Sequence, residues 1–122
     1  MSLQLANIVF DCDQPPALAE FWSQVLSRPV DPDGSEYFVS IGAGGDADAG
    51  PAWFFAKVPE PKTAKNRCHV DLHAPDRDAV QTEVDRLLAL GATLIRAPKE
   101  EFGAYWATLQ DPEGNELCIG AP

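Results

Sequence analysis

A chain of 122 residues, 45% of them hydrophobic and 23% charged, has the size and composition of one globular domain with a core of its own. Nineteen acidic against nine basic residues leave a formal charge of -10, which repels phosphate backbones and anionic bilayers. No apolar run approaches the roughly 20 residues of a membrane span, so neither nucleic acid nor membrane is an expected partner.

Met1-Ser-Leu carries neither the basic start nor the apolar centre of a secretory leader, which makes the cytoplasm the expected compartment. Cys12, Cys68 and Cys118 are odd in number and lack C-x-x-C spacing, so reduced thiols are expected rather than a disulfide framework or a zinc knuckle.

Leu5-Ala-Asn-Ile-Val-Phe10 is a short run of strand formers. Asp13 ahead of Pro15-Pro16 reads as a cap followed by prolines. A helix should then fill Pro16 to Ser27, where Leu18, Phe21, Trp22, Val25 and Leu26 recur at helical spacing as one buried stripe. Arg28-Pro-Val30 begins an extended stretch, Asp31-Pro-Asp-Gly34 turns it, and Glu36 to Ile41 reads as the next strand. The loop Gly42 to Gly50, all Gly, Ala and Asp, cannot bury apolar area and is expected to be a mobile connection. No helix follows it, so its glycines do not form a phosphate cradle. Ala52 to Val58 is a strong strand former, and Pro59 to Lys65 reads as a linker.

Beyond the linker the pattern restarts. Asn7-Ile-Val-Phe-Asp11 aligns with His69-Val-Asp-Leu-His73, and Ala17 to Leu26 with Ala79 to Leu88, at an offset of 62 residues, about half the chain, as in an internal repeat. Asp76 caps a second helix with Val80, Val84, Leu87 and Leu88 as its stripe, ending at Leu90 before Gly91. Ala92 to Ala97 reads as a strand stopped by Pro98, while Ala104 to Leu109 and Glu116 to Ile119 flank the turn Asp111-Pro-Glu-Gly-Asn115. Each half therefore reads strand, helix, strand, strand, strand.

The chemistry concentrates in Asn66-Arg-Cys-His-Val-Asp-Leu-His73. Val70 and Leu72 alternate with His69, Asp71 and His73, so both histidines of the chain share one strand face with a carboxylate. That row suits a lined cavity, because imidazole is a ligand nitrogen and a proton acceptor near neutral pH; it equally describes the solvent face of a half-buried strand. Lys57, Lys62, Lys65 and Arg67 gather four of the nine cations within eleven residues, a set that can grip an anionic substrate or solvate a linker. Trp53, Phe55, Tyr105 and Trp106 can wall a pocket or fill a core.

The duplicated βαβββ pattern with its closing Asp-Pro-x-Gly-Asn hairpin resembles the vicinal oxygen chelate superfamily, which holds glyoxalase I, extradiol dioxygenases, fosfomycin resistance enzymes and bleomycin resistance proteins. The resemblance covers nearly the whole chain. It is most specific in Val58 to Lys62, Lys65-Asn-Arg67, His69 to Leu72, Leu90-Gly-Ala92 and Asp111 to Cys118, which are similar to an uncharacterised glyoxalase-like subfamily. It implies an α+β fold, one glyoxalase-like domain over residues 1–122. Two tandem βαβββ units, about 3–58 and 66–120, would form a cup-shaped mixed sheet with helices outside. Many relatives are homodimers, and the resemblance implies one here.

Enzymatic members hold a divalent metal with ligands on the first and last strands of each unit. His69 falls on one such position, but Asn7 is its counterpart in the first unit. Cys118 stands where the last-strand glutamate lies, four residues past the turn glycine. Glu116 shares its face two residues earlier, and Ala52 to Val58 contains no acid. One histidine and a doubtful carboxylate fall short of the three or more ligands a catalytic metal needs. The resemblance thus implies a protein that binds a small organic molecule in the cup, with no cofactor and without the full metal-ligand set. His69 and Glu116 are the catalytic candidates. Asn7, Trp53, Phe55, Asp71, His73, Trp106 and Cys118 are the ligand-binding candidates. Two alternatives stay open: a metal-dependent lyase, isomerase or dioxygenase using His69, and a metal-free acid-base enzyme using His69 or Glu116.

Overall fold

Residues 2–45 and 49–122 are described by a computed structural model, which divides into a first unit ending at Pro61 and a second beginning at Lys62. In the first, β1 (Asn7–Cys12), α1 (Pro15–Leu26), β2 (Phe38–Ile41) and β3 (Ala52–Lys57) build a sheet of order β1-β3-β2. Strand β1 runs parallel and β2 antiparallel to β3. In the second, β4 (Val70–His73), α2 (Arg77–Leu90), β5 (Thr93–Glu101), β6 (Ala104–Gln110) and β7 (Glu116–Ala121) give the order β4-β7-β6-β5, with only β4 and β7 parallel. Two mixed sheets, each with one helix, are the α+β arrangement that the repeat implies.

The first core is aromatic. The stripe of α1 buries Leu18, Phe21, Trp22 and Val25. Trp22 lies 5.0 Å from Trp53 and 5.5 Å from Phe10 between ring centroids, and Phe10 lies 5.7 Å from Phe55. Tilted and edge-on ring pairs of this kind add to the area term. Asp13 is not the cap of α1: Gln14 holds that position, with prolines in the first turn. Asp13, one residue too early, accepts from Gln14 Nε2 at 3.1 Å and lies 3.9 Å from Lys57 Nζ. The stretch Arg28 to Val30 makes a single bridge, Val30 to Ile41, rather than a strand, because Pro29 has no N–H to give a ladder. Of the Gly42 to Gly50 loop, residues 46–48 lie outside the described residues. The start of that loop is tied down, since Asp31 accepts from Ser40 Oγ, Gly42 N and Ala43 N.

In the second unit Asp76 Oδ1 accepts from Ala79 N at 2.9 Å, and Gly91, at φ 118°, closes α2 in the left-handed region that a side chain would resist. Val80, Val84 and Leu87 of the helix are buried with Ala107, Leu109, Leu117 and Ile119 of the sheet. Pro98 does not stop β5. The strand passes through it with register shifts between Leu94 and Arg96 and between Arg96 and Lys99, a tolerance open to an edge strand, where a missing N–H need break no ladder.

Candidate functional site

Since Leu117 and Ile119 are committed to the core, alternation turns Glu116, Cys118 and Gly120 to the opposite face of the sheet. Register then builds rows across the strands. Asp71, Cys118 and Thr108 form one, and His73, Gly120 and Trp106 the next. His69, just ahead of β4, puts Nε2 3.2 Å from Asp71 Oδ1. These side chains line a cavity of about 420 Å³ together with Lys65 and Tyr105, a volume in the range of small-molecule pockets.

Glu116 is the buried acid of this face, only 7% exposed. Its Oε1 accepts from Asn66 N at 2.7 Å and faces Lys62 Nζ at 3.4 Å, while Oε2 faces Gln110 Nε2 at 3.5 Å. Burial alone would raise its carboxyl, but the Asn66 N–H, the Lys62 ammonium and the Gln110 amide outweigh that and hold it below the ordinary glutamate value. A carboxylate so held fastens the linker to β7 and is a poor proton acceptor at neutral pH. Cys118 is governed oppositely. Burial pushes its thiol up, partly countered by Thr108, whose Oγ1 lies 3.4 Å from Sγ, so the thiol keeps its proton.

Of the residues that the sequence nominates, the second unit brings together His69, Asp71, His73, Trp106, Glu116 and Cys118. Trp53 and Phe55, at 6% and 0% exposed, are core of the first unit, under α1, because they share the face of Val39 and Ile41. Asn7 opens β1 of the first unit, in register with Ala52. The sequence reading missed Thr108 and Gly120, although each stands two residues from a nominated neighbour and alternation puts them on its face. It also missed Arg96, whose guanidinium lies 3.9 Å over the Trp106 ring and donates to the Trp106 carbonyl at 2.6 Å and to Glu101 at 3.0 Å. A sequence bears no mark of that stack, since it spans two strands.

His69, Asp71 and Cys118 bring three donor atoms within 4.8 Å of one another. The carboxylate is already paired with the imidazole, the thiol must first lose a proton it holds firmly, and Glu116 is engaged elsewhere.

The family model for the glyoxalase-like domain matches residues 7–120. The chain belongs to the glyoxalase-like family. Its fold is that of the vicinal oxygen chelate superfamily, and solved structures agree. A glyoxalase/bleomycin resistance protein/dioxygenase family enzyme from Burkholderia phytofirmans PsJN superposes with a TM-score of 0.80 at 23% identity, over 98% of each chain. A glyoxalase-related enzyme from Fulvimarina pelagi gives 0.77 at 16%, over 99% of this chain and 89% of the other. Lactoylglutathione lyase from Agrobacterium tumefaciens gives 0.65 at 17%, over 98% and 94%. At these identities the likeness establishes the fold alone. No curated protein matches the glyoxalase-like chain, and no helix among its described residues is long and apolar enough to cross a membrane.

Proposed function

We propose that the second unit of this glyoxalase-like protein binds a small organic molecule in its cavity, without a tightly held metal. The cavity itself carries the reading: about 420 Å³ on the sheet face opposite α2, with indole, imidazole, hydroxyl and thiol converging on it. What supports the metal-free part is the state of the donor set: of its three donor atoms, the Asp71 carboxylate is paired with the His69 imidazole and burial raises the Cys118 thiol. Equilibrating the protein with nickel, zinc or manganese, dialysing, and measuring bound metal beside His69→Ala tests this. Little retained metal in either protein is expected. About one ion per chain, lost in the variant, would refute the reading and favour a metal-dependent enzyme.

A second reading, metal-free acid-base catalysis, is favoured by the 3.2 Å approach of Asp71 to His69, which orients an imidazole as a general base requires. Glu116 is the weaker candidate for that role, since its lone pairs are engaged. The proposal includes a cytoplasmic homodimer, which sedimentation at micromolar concentration tests.

A further inference from the structure

We propose that Gly120 is the seat of a flat aromatic ring in this cavity, and that its missing side chain, between His73 and Trp106, selects planar ligands. This rests on the reading of the cavity as a small-molecule site.

Gly120 lies in regular strand backbone within β7 and is not among the glycines of positive φ, so conformation does not demand a glycine there. Its neighbours are what a side chain would meet. A Cβ built on it would stand 3.6 Å from Trp106 Cβ, 3.9 Å from His73 Cδ2 and 3.2 Å from the Tyr105 carbonyl oxygen. Register places His73 on one side and Trp106 on the other. Adjacent strands are about 4.8 Å apart, so the two rings rise from backbones roughly 10 Å apart across a bare floor. One methyl group would occupy the middle of that floor.

The indole wall is already ordered. Arg96 stacks on it at 3.9 Å while bonded to the Trp106 carbonyl and to Glu101, so the ring has little rotamer freedom left to lose on binding. Arg96 is paired in register with Thr108, beside the row of Asp71, Cys118 and Thr108. Ala104 and Ala121 keep the rim small, and the next row offers the Thr108 hydroxyl. The ligand class that fits is a planar aromatic ring bearing a hydroxyl group.

The test titrates purified full-length protein with 2-naphthol and with its saturated, non-planar counterpart decahydro-2-naphthol, following backbone amide shifts. Wild type is expected to bind 2-naphthol at least fivefold tighter, with shifts at His73, Thr108 and Gly120. Gly120→Ala is expected to weaken 2-naphthol about tenfold and to leave the saturated alcohol within twofold. Its methyl needs a few tenths of an ångström from the Tyr105 carbonyl, so Trp106→Leu, which removes the wall instead, gives the same loss if the alanine variant folds poorly. Equal affinity for both alcohols at the cavity, or 2-naphthol binding unchanged in a folded variant, overturns the glycine seat and leaves the small-molecule reading standing. No cavity shift in wild type with either alcohol at millimolar concentration overturns both.

Discussion

Replacing Glu116 with alanine removes a carboxylate that is 7% exposed and fastens the linker at Lys62 and Asn66 to β7. The Asn66 bond, at 2.7 Å to a charged acceptor, contributes about 1.5–3 kcal/mol. The Lys62 pair, at 3.4 Å with its lysine 28% exposed, adds under about 1 kcal/mol after screening. The Gln110 contact, at 3.5 Å, adds little. A loss of about 2–4 kcal/mol follows, or roughly 10 °C in Tm for a chain of this length. Glu116→Gln, which keeps an acceptor for Asn66, should lose about half as much. Because the folded carboxyl titrates below its ordinary value of 4.5, its contribution is complete above that value and disappears as pH falls through the lower folded one. The gap between wild type and Glu116→Gln in urea melts should therefore be constant from pH 7 to about 5.5 and close under more acid conditions. Trypsin should also cut the alanine variant faster at Lys62, Lys65 and Arg67. An alanine variant within about 0.5 kcal/mol of wild type at pH 7, with unchanged cleavage, would refute the clasp.

Asp76→Ala should cost about 1 kcal/mol through the lost Ala79 N–H bond, while Asp76→Asn stays nearly neutral; thermal melts of the pair check it. Leu109→Ala, at a fully buried position, should lose about 2–5 kcal/mol in denaturant unfolding without abolishing the fold. Iodoacetamide at pH 7 should label exposed Cys68 well before Cys118, whose thiol burial holds above its ordinary 9.0; peptide mass analysis that found Cys118 modified first would contradict its assigned environment.

Local signals carried most of the fold. The Asp76 cap, Gly91 and the stripe of α2 depend only on neighbours a few residues away, so they were legible, as was the alternation that sends His69, Asp71 and His73 away from the core. What needed register across strands was not. Trp53 and Phe55 look alike as pocket wall or core until β3 is set beside β2 and α1. Pro98 stops a central strand but not an edge, and strand order is not written in local spacing. Glu116 reads as a free acid in sequence. Only the return of a linker some fifty residues earlier turns it into a clasp.

The most direct measurement is an amide-shift map of chelator-treated protein titrated with a panel of small phenols, carboxylic acids and amines. Saturable shifts confined to the cavity, at His73, Thr108, Cys118 and Gly120, are the predicted result. Shifts that arise only after a divalent metal is added, or that fall solely on first-unit residues such as Asn7, would contradict a metal-free binding pocket in the second unit.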